Sequence, residues 1–249
     1  LFSSFLGGGG DDAAFALSLN PLNDNIYVAG ATTSNNLKAT GGNNGPILFS
    51  TYQGGTGPQP GGDGFISIIS NDGSTQIKTC YVGTSGNDMV YGVQFDKLGF
   101  PYITGTTTIA FPVIQSAFNA SGNQAGGKQF ITKMKTDLSA VVYSANFGKG
   151  FSVPDISTTA FLVDRCENVY VAGWGGGLDV SEGYPNANTT NLSVTPDAIR
   201  STSDGSDFYF FILEKNALSQ LYGTYYGNFD NVPDVGDHVD GGTSRFDKE

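Results

Sequence analysis

Apolar and polar residues alternate in short runs along most of the chain. Phe15, Leu17 and Leu19 share one parity, as do Tyr91, Val93 and Phe95, and Phe161 and Val163. Runs of this kind are bounded by Gly, Asn or Asp. A period of two between turn residues predicts half-buried β-strands. These alternating residues are therefore expected to be buried between sheets.

The runs recur. A β-branched segment closed by Gly appears three times, as Ile26-Tyr27-Val28-Ala29-Gly30, Pro101-Tyr102-Ile103-Thr104-Gly105 and Val169-Tyr170-Val171-Ala172-Gly173. Its tyrosines lie 75 and 68 residues apart. A third pattern reads Asp63-Gly64-Phe65-Ile66, Lys128-Gln129-Phe130-Ile131 and Asp207-Phe208-Tyr209-Phe210. A fourth is an aromatic run ending at Gly7, Gly83, Gly148 and Gly227. Four strands per repeat is the arithmetic of a propeller blade. A β-solenoid is the rival, but its rungs are much shorter. The fold class expected is all-β and β-propeller-like. It has about three four-stranded antiparallel blades, with flanking strands of neighbouring blades. The repeats run roughly 8–83, 84–148 and 149–227 within one propeller domain spanning 1–249, and a fourth begins at 228–249. Phe2, Phe5 and Leu6 read as a strand without its own blade.

Composition narrows the classes. The chain has 36 Gly, 10 Pro, 12% aromatic and only 14% charged residues, which excludes long charged helices and a disordered chain. No apolar run reaches the roughly 20 residues of a membrane helix. Net charge is −11, with no basic cluster, so nucleic-acid binding is not expected. Lys128, Lys133 and Lys135 read as the polar face of one strand. Two cysteines, Cys80 and Cys166, are too few for a disulfide framework and fall in a strand and in a distant turn. They are expected not to bond to each other. The missing leader and the unfinished last repeat read as a piece of a longer, processed protein.

Gly7-Gly8-Gly9-Gly10-Asp11-Asp12 followed by Asn25-Ile26-Tyr27-Val28-Ala29-Gly30-Ala31-Thr32 resembles the SBBP β-propeller repeat. Phe111-Pro112, Tyr184-Pro185, Pro196-Asp197-Ala198-Ile199 and Leu221-Tyr222-Gly223-Thr224-Tyr225-Tyr226-Gly227 extend the likeness over nearly the whole chain. The departures are Gly83-Thr84-Ser85-Gly86-Asn87-Asp88, which keeps one Asp, and Gly148-Lys149-Gly150, which keeps neither. Lys128 also replaces the third-pattern Asp. A role tied to those acids is thus not expected in every blade. The segments Asp164 to Gly176 and Asp237 to Asp247 are similar to large surface proteins of Bacteroidetes that leave the cell by type IX secretion. This resemblance implies an extracellular or cell-surface address.

Candidate chemistry is sparse. Asp230, Asp234, Asp237 and Asp240 are the best candidates for Ca2+, since hard carboxylate oxygens in Gly-rich loops suit that ion. Asp11-Asp12 and Asn87-Asp88 are lesser clusters, and for all of these the structural alternative is turn closure by Asx hydrogen bonds. His238, the single histidine, would have to serve any Ser–His–Asp or Cys–His device, and no G-x-S-x-G elbow accompanies it. Gly7 to Gly10 and Gly173 to Gly177 lack the Lys-Ser/Thr of a phosphate loop and read as turns. Trp174 is the candidate for stacking on a ligand sugar, with a packed core indole as its alternative. The expected function is a non-catalytic surface or scaffold module for binding, adhesion or assembly, needing no cofactor. The alternatives are a Ca2+-dependent interaction module or a secreted carbohydrate-active enzyme with its site in a propeller funnel. Expected partners are the remainder of a longer chain or other copies, and a glycan or protein ligand.

Overall fold

The computed structural model of the protein describes residues 2–37, 51–54, 61–120, 124–151, 153–175 and 188–227. The fold is all-β, with three four-stranded antiparallel sheets whose strand order follows the chain. The first sheet holds β1 (Asp12–Leu19), β2 (Ile26–Thr32), β3 (Asp63–Ile69) and β4 (Gln76–Val82). The second holds β5 (Asp88–Phe95), β6 (Pro101–Thr107), β7 (Gln129–Met134) and β8 (Val141–Phe147). The third holds β9 (Ser157–Val163), β10 (Val169–Trp174), β11 (Phe208–Leu213) and β12 (Gln220–Tyr226). The chain divides into two compact units, Leu1–Phe111 with Ile131–Tyr143, and Pro112–Phe130 with Ser144–Glu249. Among the described residues no helix is long and apolar enough to cross a membrane.

The repeated glycine has a geometric cause. The first strand of every sheet carries a β-bulge against the second. Phe15, Tyr91 and Thr159 are the extra residues, and Gly30, Gly105 and Gly173 lie opposite the residues just before them. A bulge kinks its strand and crowds the backbone across from it. A Cβ on Gly30 would collide with the Ala13 carbonyl oxygen, and one on Gly173 would meet the Ser157 oxygen at 2.5 Å. Gly30→Ala is therefore expected to destabilise the first sheet by at least about 2 kcal/mol, because both clashing groups are backbone. A shift of the urea midpoint relative to wild type checks this.

The repeated tyrosine has a different cause. Tyr27, Tyr102 and Tyr170 are each the second residue of the second strand. They stand beside the turn that follows the first strand, and that turn is closed in all three sheets by an Asx side chain. Asn20, Asp96 and Asp164 accept the amide N–H two residues on, from Leu22, Leu98 and Cys166, at 2.8–2.9 Å. The tyrosine hydroxyl reaches the same side chain in the third sheet, where Tyr170 donates to Asp164 at 3.1 Å. In the second sheet the separation between Tyr102 and Asp96 is 3.5 Å. Tyr27 turns its hydroxyl to the Thr136 carbonyl at 2.6 Å.

The residue two before each final glycine ties the long connection between the second and third strands to its sheet. Tyr81 donates to the Ser34 carbonyl and accepts from the Leu37 amide, both at 2.9 Å. Tyr225 donates to the Leu192 carbonyl at 2.9 Å. In the second sheet Asn146 does this work, exchanging two hydrogen bonds with Asn119 of the short helix α1 (Ala117–Ala120).

Burial departs from expectation in the first repeat. Val93, Phe95 and Val163 are buried, while Tyr91 and Phe161 are half-buried. Phe15, Leu17 and Leu19 are instead 46%, 65% and 54% exposed. The reason is packing within the first unit. The second sheet lays Phe95 edge-on against Tyr27 of the first, with ring centroids 4.7 Å apart. The first sheet's opposite face carries Leu17 and Leu19, in register with Val28 and Ile26. Its outer half is covered by Leu6, Leu37 and Tyr52, which pack on Val28, Phe65 and Tyr81. Its inner half, on β1, faces solvent. Phe2, Phe5 and Leu6, expected as a strand, have no sheet partner.

The lysine expectation is also corrected. Lys128 and Lys133 are buried, and only Lys135 is exposed. Lys133 reaches Asp96 at 2.9 Å and lies over the rings of Phe100 and Tyr102, so an ion pair and two aromatic faces replace its hydration.

Candidate functional site

Acidic side chains concentrate at the strand starts, on the loop that leads into the first strand of each sheet and on the start of the third. Their local chemistry explains the Gly- and Asp-rich sequence there. Asp12 accepts Gly8 N–H at 2.7 Å, the Ser34 hydroxyl at 3.0 Å and the Thr32 hydroxyl at 2.5 Å. Asp88 accepts both the N–H and the hydroxyl of Thr84. In each case the carboxylate closes a tight loop onto an amide four residues upstream. The loop before the third sheet, expected to lack this role, has it. Asp155 accepts the N–H of Lys149, six residues upstream, at 2.8 Å, and also pairs with the Lys149 ammonium at 3.3 Å. The wider spacing hid it from a motif reading.

The third-strand acids are buried more deeply. Asp63 and Asp207 hold equivalent register positions, two residues before Phe65 and Tyr209, which pair with Gly30 and Gly173. Asp207 meets the Arg200 guanidinium at 3.3 Å, and Arg200 also donates to the Gly227 carbonyl. Asp63 has no such cation among the described residues. It accepts Gln53 N–H at 2.6 Å, is fully buried, and keeps Oδ1 without a hydrogen-bond partner.

Asp88 lies beside it. Asp88 N–H donates to the Gly62 carbonyl at 2.9 Å, on the same peptide that carries the Asp63 nitrogen. Asp88 is also fully buried, and its Oδ1 and that of Asn87 lack partners. Burial pushes the Asp63 carboxyl up to about 6, and the nearby Asp88 charge adds to this against the Gln53 and Gly54 amides. Burial raises Asp88 too, opposed by the hydroxyl of Thr107 and both donors of Thr84. Two adjoining carboxylates with spare acceptor oxygens can share a proton or hold a hard cation. Neither is exposed enough to touch a polymeric sugar.

The folded protein holds the Asp63 proton more tightly than an unfolded chain, whose Asp titrates near roughly 4. Stability from this group is thus lost as pH rises from about 4 to about 6, and the deficit persists above. Asp63→Asn is expected to raise the melting temperature at pH 7.5 in chelator and to change it little at pH 4. The new amide removes a buried charge and can donate to Asp88. Differential scanning calorimetry at the two pH values measures the contrast.

The residues singled out by sequence lie elsewhere. Asp230, Asp234, Asp237, Asp240 and His238 fall outside the described residues. Trp174 ends β10 and is only 4% exposed, so its indole is packed into the sheet and does not offer a stacking face. Asp11 presents its N–H to the Thr33 hydroxyl in a polar loop. Among the described residues no group of three or more His, Cys, Asp and Glu is placed to share a metal ion. Sequence reasoning passed over Asp63 and Asp155. The available signal for Asp63 was its pattern partner Asp207, which has an arginine seven residues upstream where Asp63 has none.

The cysteines are both free, Cys80 buried in β4 and Cys166 exposed in the β9–β10 turn. Burial pushes the Cys80 thiol up to about 12. A native-state thiol assay is expected to titrate one group per chain, Cys166, with Cys80 reacting only after denaturation. No protein-family model matches the chain, and no curated protein matches it.

Proposed function

We propose that the three sheets are blades of a β-propeller-type repeat array, and that the chain acts as a non-catalytic extracellular scaffold within a larger assembly. The observation that carries this is the exposed inner half of the first sheet. Leu17 and Leu19 stand at the register positions of Val93 and Phe95, since their partners Val28 and Ile26 correspond to Ile103 and Pro101. Val93 and Phe95 are buried, with Phe95 against the preceding sheet's Tyr27, whereas Leu17 and Leu19 are exposed. The occupant that fits is a further sheet of the same repeat, offering a second-strand tyrosine as Tyr27 does. An exposed apolar face of this kind drives association. The closing of polar loops by their own Asp, Asn, Ser and Thr side chains supports a structural role for those groups. The likeness of the segments Asp164 to Gly176 and Asp237 to Asp247 to secreted surface proteins of Bacteroidetes supports the extracellular address.

The test is the size of the 249-residue chain by light scattering over a concentration series. Concentration-dependent assembly, abolished by Leu17→Lys with Leu19→Lys and without change in the circular dichroism spectrum, is expected. A monodisperse monomer that melts cooperatively at all concentrations would sink the reading.

A further inference from the structure

The three repeats solve one electrostatic problem in different ways, and the first solution is incomplete. In the second unit each buried acid at a strand start has its own cation, Lys149 for Asp155 and Arg200 for Asp207. In the first unit Asp96, at a turn, has Lys133. Asp12 is part-exposed and receives three hydrogen bonds. Asp63 and Asp88 are fully buried, rise from hydrogen-bonded neighbouring backbone, and have no lysine or arginine partner among the described residues. A buried charge left unpaired is strongly unfavourable.

The geometry points to a site for one hard cation of the Ca2+ class, held by Asp63 and Asp88 through their free Oδ1 atoms with Asn87 Oδ1 as a third ligand. Three buried acceptor oxygens lack donors here, on Asp63 at the start of β3, on Asp88 at the start of β5 and on Asn87 just before it. Asp63 Oδ1 is directed at the backbone of Gly83, where a Cβ would approach it to 2.7 Å. The lack of a side chain at Gly83 thus lets the Asp63 carboxylate lie against its backbone. The remaining carboxylate oxygens are fixed by Gln53 and Thr84, so the two side chains are oriented before any ion arrives. A shared proton would satisfy one or two of the free oxygens, and a cation satisfies all three. An all-oxygen set disfavours soft metals and suits a hard cation such as Ca2+, which tolerates variable coordination geometry.

The inference does not depend on the assembly reading, because it concerns a site within one chain. The probe is Tb3+, whose luminescence can be excited through tyrosine, and Tyr52 and Tyr81 lie near enough to feel the Asp63 charge. The full chain, stripped with chelator at pH 7.5, is expected to bind one Tb3+ that Ca2+ displaces, and to melt several degrees higher in Ca2+. Asp63→Asn and Asp88→Asn should each weaken Tb3+ binding at least tenfold and remove the Ca2+ shift. Asp12→Asn, which removes the same charge elsewhere, should keep both, as should the variant with Asp230, Asp234, Asp237 and Asp240 all changed to Asn. Loss of the Ca2+ response in that fourfold variant would overturn the assignment. So would its retention in Asp63→Asn, or a wild-type chain that ignores Ca2+ yet gains stability in chelator as pH falls from 7 to 5.

Discussion

Asp96→Ala is expected to cost about 3–5 kcal/mol of stability, the range for breaking a buried ion pair from one side. Asp96 accepts Leu98 and Phe100 N–H at 2.9 and 3.0 Å and pairs with Lys133 at 2.9 Å. Both side chains are largely buried, at 8% exposure for Lys133 and 1% for Asp96. The substitution therefore opens the β5–β6 turn and takes the carboxylate away from an ammonium buried between two aromatic rings. Adding Lys133→Met should recover part of the loss, since the buried charge that faced Asp96 is then gone but the turn stays open. Urea unfolding of the two variants separates these contributions. An unchanged midpoint for Asp96→Ala would mean that solvent reaches Lys133.

Phe211→Ala is expected to lose about 3–5 kcal/mol, as large core aromatics do when truncated. Phe211 is 1% exposed and stacks on Phe147, with centroids 4.5 Å apart and planes 5° from parallel. Phe118 and Tyr209 border the same ring. Phe211→Leu should lose much less, because it keeps most of the buried volume. The same unfolding assay compares the two.

Strands and their grouping were legible because period-two runs, turn residues and repeat spacing all agree. The tyrosines 27, 102 and 170 do occupy one place in successive sheets, because each is read from the same edge of a bulged hairpin. Burial was less legible. Leu17 and Val93 have equivalent patterns, and only the presence or absence of a stacked sheet separates them. Lys133 was misread for a related reason. Its partner Asp96 lies 37 residues away, on a turn whose own sequence explains the aspartate completely. The candidate cation site was hidden because what marks it is a missing basic residue, and a scan for acidic clusters favours the denser run at 230–240.

Strand order that follows chain order has a consequence for how the repeat can change. The links from first to second strand are 6, 5 and 5 residues, and those from third to fourth are 6 in every sheet. The central links are 30, 21 and 33 residues. Closure entropy rises slowly with length, by only about 0.6 kcal/mol per doubling. Insertions in a central link are therefore nearly neutral, whereas one residue added to a short link dislodges the side chain that closes it. New surface can accumulate on one loop of each repeat without disturbing the register of the sheet that carries it. Grafting experiments and natural divergence should both find that loop permissive.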